Sequence, residues 1–266
     1  MSITIRISGE IMKFVPYICC GDPDLGFTCK LVKTFAPYSY LIELGIPFSD
    51  PIADGKTIQK AANRSLKNGT NIEKIFSMVK RLRKEKVTTP FVFMSYYNII
   101  YSYGKERFLS KMKEIGVQGM IIPDLPFGED LEFEKLARKH NISIVNLIAP
   151  STRSERAKKI LRVPSLFTYL VSVAGTTGAR GQVSKESLEF VKRIKKMAGN
   201  ANITQLFVGF GISNPEQAKQ FIKEGADGII VGSEIINIYS KYLEHSQSPE
   251  RSLDDLKRFA KRMFEI

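Results

Sequence analysis

Short apolar runs alternate with longer stretches in which apolar residues recur at helical spacing, from Phe14 to the end of the chain. The runs predict strands at Phe14–Cys19, Tyr40–Leu44, Phe91–Met94, Gly119–Ile122, Ser143–Ile148, Phe167–Val171, Gln205–Val208 and Gly228–Val231. They are near-continuous rather than alternating, as strands covered on both faces are. The periodic stretches predict helices at Leu25–Phe35, Ile58–Lys67, Ile72–Lys86, Lys105–Ile115, Asp130–His140, Ser154–Leu161, Lys185–Met197, Pro215–Glu224, Glu234–Leu243 and Leu253–Phe264. A repeat of three to four lays their apolar side chains along one face. Ser213-Asn214-Pro215 offers a capping side chain and a first-turn proline, and Gly225 and Gly116 stand where helices should stop. Strands separated by helices pair in parallel, because the crossover helix carries the chain back. Eight such units predict an α/β fold, the (βα)8 TIM barrel, with its site at the carboxyl ends of the strands. An open doubly wound sheet shares this periodicity and remains the alternative.

The 266 residues fit a single barrel domain spanning 1–266, with residues 1–13 as an N-terminal segment at the barrel base. A hydrophobic fraction of 43% supplies its core, and no Ser/Gly-rich linker divides it. Apolar runs such as Phe91–Met94 are far shorter than the roughly 20 residues a bilayer span needs. The opening MSITIRISGE puts charges where a signal peptide needs an unbroken apolar run. Cys19, Cys20 and Cys29 form no disulfide framework, which points to a reducing compartment. The expected location is the cytoplasm, or the plastid stroma for a plastid-encoded chain. A net charge of +13 could attract nucleic acid or an anionic metabolite. The lysines are dispersed at solvent-facing positions with no aromatic-interleaved stripe, so a solvated surface is the simpler reading and no nucleic-acid partner is expected.

One acid interrupts the apolar pattern. Glu43 lies inside the strand Tyr40–Leu44 near its carboxyl end, where burial raises a carboxyl pKa toward the range that acid/base work requires. The plain alternative is a Glu paired with a buried cation, but the eight predicted strands contain no Lys or Arg. Asp54 and Asp50 lie in the Pro- and Gly-rich loop that follows, where each alone reads as a turn residue. His140 and His245 fall outside every strand–loop junction, so neither histidine catalysis nor a Cys/His metal site is expected. Glycine-containing junctions follow the last three strands: Ala174–Gly178, Gly209–Ser213 and Gly232-Ser233. Glycine lets backbone N–H groups approach an anion, and Gly232-Ser233 also opens a helix. Together they predict a phosphate cradle, which barrels often place after strands seven and eight.

The segments PYICCGDPD, IELGIPFSDPIADG, MSYYNIIYSYG, IIPDLPF, LIAPST, YLVSVAGTTGAR, GFGIS and GADGIIVGS occur in an order and spacing that resemble the tryptophan synthase α subunit family. The resemblance implies a phosphate-binding barrel that cleaves indole-3-glycerol phosphate to indole and glyceraldehyde 3-phosphate. It implies Glu43 as the general acid/base and Asp54 as the anion that hydrogen-bonds the indole N–H. Tyr17, Met94 and Tyr96 would line the indole pocket, with Tyr169 beside Glu43 and Thr177 on a lid spanning 174–182. Gly178, Phe210, Gly211, Gly232 and Ser233 would hold the phosphate. It further implies a β-subunit partner in an α2β2 heterotetramer, contacted near Asp50, Pro51, Asn98 and Pro126. No cofactor is expected on this chain, because pyridoxal phosphate belongs to that partner. The chain departs from the family in its short N-terminal segment, in Val173 near the lid, where some members carry arginine, and in the lid exit Gly181-Gln182. Another phosphate-binding barrel, a free-standing indole-producing lyase, or a non-catalytic subunit are the competing readings.

Overall fold

A computed structural model describes residues 12–171, 183–199, 204–209 and 211–266. Among them nine strands form one sheet: β1 Lys13–Cys19, β2 Ile42–Gly45, β3 Phe91–Met94, β4 Gly119–Ile121, β5 Ser143–Val145, β6 Leu147–Ile148, β7 Thr168–Val171, β8 Leu206–Gly209 and β9 Gly228–Val231. Every pairing is parallel, in the order β5-β4-β3-β2-β1-β9-β8-β7-β6. The two ends of that order, β5 and β6, flank Asn146 on one continuous stretch of chain. The sheet therefore closes on itself, and the open doubly wound alternative falls. The single strand expected at Ser143–Ile148 is divided because its first half pairs with β4 and its second with β7, while the Asn146 carbonyl accepts the Tyr169 N–H at 2.9 Å.

The helices α1 Leu25–Phe35, α2 Lys56–Lys67, α3 Ile72–Lys84, α4 Tyr97–Tyr103, α5 Lys105–Glu114, α6 Leu131–Lys139, α7 Ser154–Leu161, α8 Lys185–Ala198, α9 Pro215–Lys223, α10 Ser233–Glu244 and α11 Leu253–Phe264 surround the barrel. Side chains of Asp24, Asn71, Asp130, Ser184 and Asn214 each accept a first-turn N–H of the helix they precede. Such caps contribute about 1 kcal/mol apiece. Gly116 and Gly225, just past α5 and α9, take φ of +71° and +101°. Glycine adopts that left-handed region without a Cβ penalty, which ends both helices where the sequence places them.

Two apolar layers result from strand alternation. Outward-facing strand residues pack with the helices, whereas Val15, Leu41, Val92, Ile121, Val145, Phe167, Phe207 and Ile230 fill the barrel interior. The interior is thus packed, and a site can form only above this plug, at the strands' carboxyl ends.

α4 is absent from the sequence reading. Its sequence YNIIYSY is poor in strong helix formers, so propensity does not announce it. Packing makes it: Ile100 is buried, the Tyr97 ring lies 5.6 Å from Phe133, and Tyr103 lies 5.6 Å from Phe76. Lys13 also joins β1, so a lysine does enter a strand. It sits at the amino end, over the Tyr40 ring at 4.8 Å, and pairs in register with Gly228, four residues before the Tyr17 level.

Candidate active site

In β2 the inward residues are two apart. Leu41 just before the strand belongs to the interior plug, so Glu43 comes next on the same face, directly above it. It pairs in register with Tyr17 on β1 and Val92 on β3. Glu43 is 1% exposed, and its Oε2 has no hydrogen-bond partner among the described residues. Burial first, and the negative charge of Asp54 second, push its carboxyl up to about 8. Lys13, the lysine that does enter a strand, lies four residues before the Tyr17 level, and among the described residues no cation pairs with Glu43.

Asp54 sits in the loop between β2 and α2, shaped by the Asp54 N–H donating to the Pro51 carbonyl at 3.0 Å. Tyr96 holds the carboxylate: its hydroxyl donates to Asp54 Oδ2 at 3.0 Å and accepts the Ala53 N–H at 3.0 Å. The Tyr96 ring stacks on Phe48, centroids 5.1 Å apart, which fixes its direction. From the far side, Gln59 Nε2 donates to the Asp54 carbonyl at 2.8 Å. Partial burial raises the Asp54 pKa to about 6, against which the Tyr96 bond pulls it down. Tyr96 thus holds Asp54, a role distinct from the pocket lining expected of it. A tyrosine in a predicted strand–loop junction gives no hint of a bond 42 residues back in the chain.

Two more tyrosines flank the pair. Tyr17 crosses the mouth so closely that a Cβ on Gly45 would lie 2.2 Å from its hydroxyl, and one on Gly232 would lie 3.0 Å from its ring. Tyr169, inward on β7, lies against Gly209 in the same way, 2.3 Å from a hypothetical Cβ. Both phenols are pushed up, by burial first and by the charges of Glu43 and Asp54 among the further causes, so they stay protonated donors. Met94, in register with Gly45, is partly buried against the interior plug and completes an apolar wall.

Of the predicted phosphate contacts, Gly211, Gly232 and Ser233 lie at the ends of the neighbouring strands β8 and β9. Gly211 has φ +65°, with open space where a side chain would go. Ser233 begins α10, whose first-turn N–H groups have no acceptor within the helix. Thr177, Gly178 and Phe210, like Val173 and the loop 174–182, lie outside the described residues.

Several residues stay apart from the site. Asp50 is exposed and accepts the Ser49 hydroxyl at 2.5 Å. His140 contacts Glu106 among the outer helices, and His245 ends α10. Among the described residues no cluster of His, Cys, Asp or Glu could hold a metal ion, and no helix is long and apolar enough to cross a membrane. A groove of about 870 Å³ between α10 and α11 contains neither Glu43 nor Asp54.

A packed barrel thus carries a buried acid, a tethered anion and a tyrosine wall at one end, beside two strand ends open to an anion. The sequence and the fold both have known relatives. The chain matches the family described as Tryptophan synthase alpha chain over residues 8–265. It is 44% identical to the tryptophan synthase alpha chain of Methanocaldococcus jannaschii over 233 residues, covering 88% of this chain and 81% of that relative. Identity to the Arabidopsis thaliana alpha chain is 42% over 258 residues, 97% of this chain and 90% of that one. Among solved structures, a chain of the Pyrococcus furiosus tryptophan synthase α2β2 complex, described for its mutual activation, is similar with a TM-score of 0.87 at 39% identity. That likeness covers 97% of this chain and 99% of the other.

Proposed function

The chain belongs to the tryptophan synthase alpha chain family, and from that premise we propose that Glu43 and Asp54 carry out the family's reaction here. It is a carbon–carbon lyase that cleaves indole-3-glycerol phosphate to indole and glyceraldehyde 3-phosphate, one step of tryptophan biosynthesis. The observation that carries the residue assignment is the pairing of a buried Glu43, whose Oε2 has no hydrogen-bond partner among the described residues and which titrates near 8, with a Tyr96-held Asp54 near 6. Between those values one carboxyl keeps its proton while the other is charged.

That is the state the chemistry needs. The bond between indole C3 and the glycerol carbon breaks once C3 is protonated, because its electron pair can then return to the ring and neutralise the iminium nitrogen. Protonated Glu43 supplies that proton. Ionised Asp54 accepts a hydrogen bond from the indole N–H and stabilises the positive charge that forms there. As the carbon–carbon bond opens, the adjacent hydroxyl becomes the aldehyde and gives up its proton, which returns to Glu43. The acid is regenerated, and no net proton is gained or lost. Tyr17, Met94, Tyr96 and Tyr169 enclose the ring and exclude water, with Thr177 on the lid side. Gly178, Phe210, Gly211, Gly232 and Ser233 bind the phosphate through backbone N–H groups, joined by the Ser233 hydroxyl.

The partner is a β subunit, assembled as α2β2, which takes up the indole. Pyridoxal phosphate serves that subunit's reaction, so we assign no cofactor to this chain. Residues 1–266 are read as one barrel domain, acting in the cytoplasm or a plastid stroma. The test is indole release from indole-3-glycerol phosphate by the purified chain, with and without a tryptophan synthase β subunit. Weak activity that rises strongly with the partner is expected. High activity alone would make it a free-standing lyase, and folded but inactive protein under both conditions would refute the reading.

A further inference from the structure

Away from the reacting groups, one carboxylate is more deeply buried than either of them. Asp22, in the loop between β1 and α1, is 0% exposed. Arg64 on α2 meets it with both arms of the guanidinium, Nε to Oδ1 and Nη2 to Oδ2, each at 2.8 Å. The Tyr239 hydroxyl on α10 donates to Oδ2 at 2.6 Å, and Arg64 Nη2 also donates to Ser240 Oγ at 3.2 Å. The loop that carries Asp22 is tied to α2 and to α1. Ser65 Oγ donates to the Cys20 carbonyl at 2.6 Å, the Gly21 N–H donates to Thr28 Oγ1 at 2.9 Å, and a Cβ on Gly21 would lie 2.1 Å from Thr70 Oγ1.

Both helices joined here begin beside predicted site residues. α2 starts two residues after Asp54, and α10 starts at Ser233. Near their amino ends Thr57 Oγ1 and Asn237 Oδ1 meet at 3.5 Å, so the helices touch again close to the site. Stability alone is a poor reason for such a device, since a buried ion pair seldom outperforms apolar packing of the same volume. A bidentate, charge-assisted pair does fix geometry.

We propose that Arg64 is a positioning residue: its clasp with Asp22 and Tyr239 couples the phosphate-binding end of α10 to the Asp54 loop, so that filling either end tightens the other. The proposal rests on the site assignment above, with phosphate at Ser233 and the indole at Asp54. A phosphate drawn against the start of α10 shifts that helix as a rod, and the clasp passes the shift to α2 and so to the residue that meets the indole. Coupling between two binding ends is reciprocal and is typically worth about fivefold or more in affinity.

The experiment separates the substrate into its two halves. Indole is titrated calorimetrically into the full chain, with and without saturating glycerol 3-phosphate, well below the melting temperature. The unaltered protein should bind indole at least about fivefold more tightly when glycerol 3-phosphate is present. Tyr239→Phe removes one hydroxyl from the clasp, and Arg64→Lys keeps the charge but loses the two-armed contact. In both, the enhancement should fall below about twofold while each half alone binds within about twofold of the unaltered protein. A merely structural network would lower the melting temperature and leave the enhancement intact, which overturns the proposal. So does an unaltered protein with no enhancement. If it binds neither half, the site assignment itself fails and the coupling falls with it. Should one variant not fold, the other decides.

Discussion

Replacing Glu43 with Gln should abolish cleavage and, at alkaline pH, make the protein harder to unfold. In the folded chain the carboxyl holds its proton up to about 8, whereas the ordinary value is 4.5. Below pH 4.5 both folded and unfolded chains are protonated at this position, and it costs nothing. As pH rises from there, the unfolded chain releases the proton first, so folding must retain a proton that solution would take. The folded state binds more protons than the unfolded one, and stability falls with pH until the folded carboxyl also ionises near 8. At about 1.4 kcal/mol for each pKa unit, the accumulated penalty is about 5 kcal/mol. At 1% exposure, solvent screens almost none of it. Glutamine keeps the shape without the titration, and any cost of burying its amide is the same at every pH. Urea unfolding of both proteins from pH 5 to 9 should therefore give a stability difference that moves in favour of Glu43→Gln by several kcal/mol and levels off above pH 8. A difference that stays flat, or that moves toward the unaltered protein, would refute the buried, proton-retaining state of Glu43. Retained cleavage by the variant would refute its role in proton transfer.

The catalytic rate should trace a bell against pH, rising as Asp54 ionises near 6 and falling as Glu43 loses its proton near 8. Asp54→Asn should remove the acidic limb and slow the reaction by at least about a hundredfold, in line with loss of a positioned charge; a change of only severalfold would leave Asp54 a turn residue. Tyr96→Phe deletes the bond that favours the Asp54 anion, so the acidic limb should move to higher pH, with more activity lost at pH 6 than at pH 8. A limb that stays in place would mean that Tyr96 does not hold the carboxylate. Gly211→Val forces a branched side chain into φ +65°, and Ser233→Ala removes a hydroxyl at the start of α10. Both should weaken calorimetric binding of glycerol 3-phosphate, and unchanged affinity would relocate the cradle.

What the sequence made legible follows the range of the forces involved. α1, α7 and α11 run over the residues expected for them, because local apolar spacing and capping set their ends. Glu43 stood out for a related reason: one acid in an apolar run is a local anomaly. Asp54 did not, because Asp before Gly is an ordinary turn, and its standing comes from Tyr96, 42 residues away. α4 escaped notice since its stability lies in rings contributed by α3, α5 and α6. The division of one strand into β5 and β6 was invisible too, because it records which neighbour each half meets when the barrel closes. The Asp22–Arg64–Tyr239 clasp is the extreme case. It joins residues 42 and 217 positions apart, and nothing near any of them in the sequence marks the others.

The two carboxylates also differ in what holds them, and that difference suits the tasks proposed for them. Glu43 is part of a strand, bracketed in register by Tyr17 and Val92 above a filled interior, so its place is set by the barrel itself. A group that must give a proton to one atom and recover it from a neighbouring one gains from such rigidity, since both transfers need hydrogen-bond reach. Asp54 lies on a loop and is held by single bonds from Tyr96 and Gln59. A loop residue can adjust to where the ring nitrogen arrives, and it can respond to whatever moves α2, the helix that starts two residues later. The pKa values follow the same split. Complete burial in the strand drives Glu43 up to about 8, while the loop's half-buried position and the Tyr96 hydroxyl leave Asp54 near 6. Moving either acid to the other's setting would close the gap: a half-exposed Glu43 would already be ionised at neutral pH, and a fully buried Asp54 would be neutral when the indole cation forms. The interval of about two pKa units in which acid and anion coexist is therefore a product of placing one group on the sheet and the other on the loop that leaves it.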